Sequence, residues 1–149
     1  MEIYVDADAC PVRDEVLRVA ERHDLPVVFV SNQGVRPDPN PKVRQMVVSG
    51  GPDAADDWIA ARIGPGDIAV TADIPLADRC LRAGARAISP TGRAFTQANI
   101  GRALASREIS RHLREIGAGG GGNAAFGKRD RSNFLQALEN AVQAARRGG

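Results

Sequence analysis

Val27-Val28-Phe29-Val30 is an unbroken apolar run, with a helical pattern before it and a loop after it, and it constrains the fold more than any other feature of the chain. A short run without polar alternation reads as a strand buried on both faces, which requires helices on both sides of a sheet. The same pattern recurs along the chain. Ile3-Tyr4-Val5 reads as a short strand ending at Asp6. Val12, Val16, Val19 and Ala20 then fall on one helical face, and Pro11 fits that helix's first turn, where its missing N–H has no helical partner. Val43 to Val48 reads as a third strand, Ile68 to Thr71 as a fourth and Ala85 to Ser89 as a fifth. Between them, Asp53 to Ile63 and Pro75 to Ala83 read as helices, and Gly34, Pro37, Pro39 and Pro41 mark a loop. This alternation predicts a three-layer α/β domain built on a mainly parallel five-stranded sheet.

The 149 residues suit one domain, with an α/β core over 1–89 and a helical C-terminal part over 90–149. In the latter, Gln97 to Ile116 reads as helical, with Ile109, Leu113 and Ile116 on one face and Arg107, Arg111 and Arg114 on the other. Ile100 and Leu104 fall out of that phase, which predicts a kink or two helices. Gly119 to Gly122 form a joint, and Phe134, Leu135, Leu138, Val142 and Ala145 give a last helix its stripe. No apolar run approaches the roughly 20 residues of a membrane span. Met1 to Val5 carries no signal pattern, so a soluble cytoplasmic protein that avoids membranes is expected. Cys10 and Cys80 match no zinc or redox spacing and read as two semi-buried thiols.

Charge divides the chain. Residues 1–78 carry 7 Lys and Arg against 14 Asp and Glu, and residues 79–149 carry 13 against 4. An acidic half joined to a basic half suits a protein that holds cations on one side and phosphates on the other; solvated helix faces would give the same imbalance.

Within the acidic half, Asp6 and Asp8 leave the first strand, Asp53, Asp56 and Asp57 open a helix, and Asp73 follows the fourth strand. Ligands of open parallel sheets bind beyond the carboxyl ends of the strands, where strand order reverses, so neighbouring first and fourth strands would join Asp6 to Asp73. Asp53 and Asp56 share a helix face. Two carboxylates about 4 Å apart repel by roughly 4 kcal/mol at an effective dielectric near 20, and a metal is one remedy. Arg13 and Lys42 are the nearest cations in sequence. Oxygen-only ligands favour Mg²⁺ or Mn²⁺. Simpler roles exist for some: Asp53 with Asp56 matches a capping box, Asp57 suits solvent, and Asp78 suits an exposed pair with Arg82. Lys128, Arg129 and Arg131, with Arg107, are candidates to grip phosphates. His23 and His112 are isolated on helices and do not read as ligands. Six aromatic side chains in all argue against base stacking as the main binding mode.

Four segments resemble the bacterial YaiI/YqxD family: Val5-Asp6-Ala7-Asp8-Ala9-Cys10-Pro11-Val12, Gly51-Pro52-Asp53-Ala54-Ala55-Asp56, Thr71-Ala72-Asp73-Ile74-Pro75-Leu76-Ala77 and Lys128-Arg129-Asp130-Arg131. That family is similar to the PIN-like superfamily through the NYN-type domains. The resemblance implies a PIN-like fold with Mg²⁺ or Mn²⁺ at Asp6, Asp56 and Asp73, and with Asp8 and Asp53 as close companions. Asp8 and Cys10 stand where NYN-type domains place an Asn, and Ile74-Pro75-Leu76 stands where they place a further acid.

The expected function is metal-dependent hydrolysis of phosphodiester bonds, in RNA, by Asp6, Asp8, Asp56 and Asp73. A module that binds metal and RNA without turnover is the first alternative. A phosphatase of the haloacid dehalogenase type is the second, with Asp6-Ala7-Asp8 as nucleophile and acid and Thr71 at its second motif.

Overall fold

The structure, a computed structural model, describes residues 1–33, 38–51, 53–105 and 126–148. Among these, β1 (Ile3–Asp6), β2 (Val27–Ser31), β3 (Val43–Val47), β4 (Ile68–Val70), β5 (Arg86–Ile88) and β6 (Ala94–Phe95) form one sheet in the order β3-β2-β1-β4-β5-β6. The first five are parallel, and β6 turns back antiparallel on β5. The sheet is therefore six-stranded, not five-stranded. β6 escapes the sequence pattern because two residues carry no periodicity. Its position is set by the Ser89–Arg93 turn, where Ser89 N–H donates to the Arg93 carbonyl at 2.9 Å.

Side chains alternate strictly between two cores. Ile3, Val5, Val27, Phe29, Ile68, Val70 and Ile88 face α1 (Arg13–His23) and α5 (Lys128–Arg146). Tyr4, Val28, Val30, Ala69 and Ala87 face α2 (Ala54–Arg62), α3 (Ile74–Arg82) and a helix α4 described over residues 97–105. β1, β2 and β4 are buried on both sides, as their apolar runs predict, whereas the edge strand β3 leaves Met46 and Val47 exposed. The α1 helix starts at Arg13, two residues after its proline. Val12 is its N-cap and receives the first helical bond from Val16 N–H at 3.0 Å, leaving Pro11 in the turn before it. It ends at Asp24, which adopts the left-handed conformation that Asp tolerates better than most residues.

The α5 helix lays Phe134, Leu138 and Val142, all fully buried and four residues apart, beside Val12, Val16 and Val19 of the first helical layer. Truncating Phe134 to Ala should cost about 3–5 kcal/mol. At the far end Glu139 accepts from Arg22 at 3.0 Å and pairs with His23 at 2.8 Å. His23 thus joins α1 to α5. Near the start of α5, Gly92 of the β5–β6 turn sits at φ 91° with the helix backbone directly behind it: a Cβ there would lie 2.6 Å from the carbonyl carbon of Asn133. In α4, Ile100 and Ala103 are buried. Arg107, Arg111, Arg114, His112, the second apolar phase and the glycine joint lie outside the described residues, so the expected kink does too. No helix among the described residues is long and apolar enough to cross a membrane.

Candidate functional site

Strand order reverses between β1 and β4, which pair in parallel with Val5 opposite Val70. The residues that follow, Asp6 and Thr71, are therefore neighbours at the carboxyl end of the sheet. Thr71 is buried, and its hydroxyl donates to Asp6 Oδ2 at 2.9 Å while accepting from Asp73 N–H at 2.9 Å. One hydroxyl thus links the two carboxylate-bearing strand ends. Asp73 is also the N-cap of α3, its Oδ1 accepting from Leu76 N–H at 2.9 Å, with Pro75 just inside the helix. Its backbone and one carboxylate oxygen are therefore held, and Oδ2 accepts no hydrogen bond among the described residues.

Asp56 approaches from the first turn of α2. Burial first, then the charges of Asp73, Asp6 and Asp53, push its carboxyl up to about 7 against the opposing pull of Arg79. Burial also raises Asp6; the Thr71 bond counters this, and Asp73 and Asp8 add to it. These acids share one electrostatic neighbourhood. Among the described residues, however, no three of them converge closely enough to close on an ion. The arrangement of these described residues is an acidic mouth.

Asp8 and Asp53 behave differently. Asp8 leaves on the short 3-10 turn Ala7–Ala9 and reaches across to β2, accepting from Ser31 Oγ at 2.6 Å and from Asn32 N–H at 3.0 Å. Its carboxylate braces the β2 exit. Asp53 occupies the N-cap position of α2, yet its side chain makes no capping bond and is exposed, so the capping box suggested by its spacing to Asp56 is not formed. Asp57 pairs with Arg79 at 2.8 Å and Asp78 with Arg82 at 3.1 Å.

Among the described residues, Arg79 is a cation that acts on the cluster, since it opposes the rise of the Asp56 carboxyl. Lys42 is not near it: it pairs with Asp24 at 2.8 Å at the opposite end of the sheet. Arg13 lies over the Phe29 ring, 4.5 Å from its centre. Spacing along the chain could not rank these cations, because Arg79 reaches Asp57 across a helix–helix contact. Ser31 and Asn32 are not singled out by the sequence, and Thr71 enters it only through the phosphatase alternative and the family segment that begins there.

In the basic half, Lys128 and Arg129 are exposed on the first turn of α5 and form no ion pair among the described residues. Arg131 is committed to the fold. It donates to the Pro11 carbonyl at 2.8 Å, pairs with Glu15 at 3.0 Å and lies over Phe126, 5.1 Å from the ring centre. Burial holds the Cys10 thiol up at about 11 and the Cys80 thiol at about 12, so neither offers a thiolate nucleophile near neutral pH.

Two open grooves flank the acids. One, of about 640 Å³, lies along the ends of β2 and β3 and is lined by Asn32, Val47, Val48, Ser49, Gly50 and Gly51. The other, of about 370 Å³, lies beyond β4 and adjoins Asp73 through Ala72 and Ile74.

Comparison with known proteins covers nearly the whole chain. A UPF0178 protein of Parvibaculum lavamentivorans is 61% identical over 146 residues, 98% of this chain and 96% of the relative. A UPF0178 protein of Rhodospirillum rubrum is 59% identical over 149 residues, 99% of each. One of Rhizobium meliloti is 58% identical over 145 residues, 97% of this chain and 99% of the relative. The family described as "Uncharacterized BCR, YaiI/YqxD family" matches residues 4–144, which takes in the acidic mouth and both helices of the α1–α5 layer; the chain belongs to the YaiI/YqxD family.

Proposed function

We propose that this protein is a PIN-like, metal-dependent nuclease that hydrolyses phosphodiester bonds in RNA. The observation that carries the reading is the shared electrostatic neighbourhood of Asp6, Asp56 and Asp73 at the switch point of a parallel sheet, where burial and mutual repulsion raise the Asp6 and Asp56 carboxyls. Such crowding is unfavourable in the apo protein and is relieved by a dication. The donor set fits one. Oδ1 of Asp6, Oδ2 of Asp73 and both Asp56 oxygens accept no hydrogen bond among the described residues, and an all-oxygen set suits Mg²⁺ or Mn²⁺. The placement of acids after β1, in the middle helix and after β4 supports the PIN-like, NYN-type reading.

Asp6, Asp56 and Asp73 would hold the ion, with Asp53 at the rim. When bound, it supplies positive charge to a scissile phosphate and a more acidic water. The chain's own groups do the positioning. Thr71 fixes Asp6 relative to Asp73, and the α3 cap fixes Asp73 in turn. Asp8 holds the β2 exit beside the mouth. Lys128 and Arg129 meet backbone phosphates.

The test is Mn²⁺-dependent cleavage of labelled single-stranded RNA by wild type, Asp6→Asn, Asp56→Asn and Asp73→Asn, with Mn²⁺ occupancy followed separately by electron paramagnetic resonance. Loss of cleavage and weakened Mn²⁺ binding in the variants is expected. Cleavage that persists in all three variants, or in chelator, overturns the reading. One observation favours a second reading, a metal-dependent RNA-binding module without turnover: Ile74-Pro75-Leu76 follows Asp73 where NYN-type domains place a further acid. Mn²⁺ and RNA binding with no cleavage would select it. The phosphatase reading is disfavoured by Asp8, which accepts hydrogen bonds from Ser31 and Asn32 and so serves poorly as a proton donor.

A further inference from the structure

The groove beyond β4 is lined by Pro11, Ala72, Ile74, Arg93, Phe95 and Phe126, together with Ser89, Pro90 and Thr91. Ala72 and Ile74 bracket Asp73, so the groove opens directly beside the acidic mouth. Its volume, about 370 Å³, falls in the range of clefts that enclose a small organic group. Its chemistry differs from that of its surroundings. Among the described residues it carries no acidic side chain, although the acids adjoin it, and one charged residue, Arg93. That guanidinium is exposed and makes no ion pair among the described residues. Arg93 is also held in place. The turn bearing it is fixed by its backbone N–H donating to Ser89 Oγ at 3.1 Å and by the Ser89–Thr91 hydroxyl contact at 2.9 Å. Phe126 brings a partly buried ring to the same groove, packed against the α1–α5 core and with the Arg131 guanidinium 5.1 Å from its centre. Among the described residues, the groove along β2 and β3 has neither an aromatic ring nor a charge.

We infer that the groove beyond β4 is the subsite for one unpaired nucleotide of a single-stranded nucleic acid, its base against Phe126 and a neighbouring phosphate on Arg93, so that the strand crosses the acidic mouth with one side read by stacking and the other by an uncharged trough. The inference rests on the nuclease reading for the strand's destination, but the contacts it names are independent of hydrolysis. An aromatic face beside a cation borne on a fixed turn takes an unstacked base and its phosphate in sequence-tolerant fashion. A duplex offers the phosphate alone, because its bases are already stacked. The sequence argued against stacking as the main mode from the small number of aromatics. The structure places two of those few, Phe95 and Phe126, in one groove, although Phe95 is itself largely buried.

The experiment measures anisotropy of fluorescent single-stranded RNA in chelator, with wild type, Arg93→Gln, Phe126→Leu and Phe126→Tyr. Folding is monitored by Trp58 fluorescence. Arg93→Gln should weaken binding evenly across sequences and lower the salt slope by about one. Phe126→Leu should weaken it about 5-fold or more, and Phe126→Tyr should restore it. A scan with one abasic nucleotide should find a single position at which the Phe126→Leu penalty disappears, a result that a merely structural role would not give. Variants that bind like wild type while wild type still cleaves RNA overturn the subsite and leave the nuclease reading standing. Weakened binding with no cleavage under any metal supports the subsite and removes hydrolysis. An equal Phe126→Leu penalty on duplex RNA overturns the stacking assignment. Wild type that binds no nucleic acid overturns both.

Discussion

Asp56→Asn should stabilise the apo protein at pH 8 and leave it unchanged at pH 4. In the fold this carboxyl is raised from 3.8 to about 7, chiefly by burial. An acid whose folded value lies above its unfolded value lowers stability as pH rises. Below about 3.8 both states are protonated and there is no cost. Between 3.8 and about 7 the unfolded state has lost the proton and the folded state keeps it, so stability falls; above about 7 the cost is constant. At 1.36 kcal/mol per pH unit the interval bounds the cost at about 4 kcal/mol. Much of the Asp56 carboxyl remains in contact with water, and screening reduces that to about 1–2 kcal/mol. The loss of a negative charge in the first turn of α2 offsets it by about 0.3–1 kcal/mol through the helix dipole. No hydrogen bond among the described residues is forfeited. The net expectation is a gain of about 1 kcal/mol at pH 8 in chelator. Urea melts followed by Trp58, the single tryptophan, would measure it from pH 4 to 9. A loss of stability at pH 8, or a difference between variant and wild type that does not change with pH, would refute the crowded-carboxylate account.

Gly92→Ala should cost about 2 kcal/mol or more in thermal or urea melts, because it combines a left-handed backbone with a Cβ 2.6 Å from the α5 backbone; a near-neutral result would mean that α5 does not dock there. Asp73→Ala should cost about 1 kcal/mol by removing the α3 cap, while Asp73→Asn keeps it and melts like wild type in chelator. Arg131→Ala should lower stability through Pro11 and Glu15, whereas Lys128→Ala and Arg129→Ala should leave melts unchanged and each reduce the salt slope of RNA binding by about one; equal behaviour of all three would show that the basic residues act as one surface.

The layers and the acids at the strand ends were legible because both are local signals. An apolar run without alternation has to be buried on two sides, and an acid that closes such a run at Asp6, or two residues past one at Asp73, stands where the chain leaves the sheet. The YaiI/YqxD motifs were equally legible, since they are contiguous. Local chemistry misled at the caps. Asp53 has the residue type and spacing of a cap and makes no capping bond, while Asp73, read only as a candidate ligand, is the working cap of α3. Tertiary structure decided which groups meet. Thr71 joins Asp6 across 65 residues, Asp8 turns to Ser31 instead of β4, Arg79 and not Lys42 acts on the cluster, and Arg131 is drawn 120 residues back to Pro11. The physical reason is one of range. Periodicity and turn chemistry act over about four residues and set what each segment is. Sheet order and helix docking bring distant segments together through nondirectional burial, so the partners of a polar group emerge only when the whole core has closed.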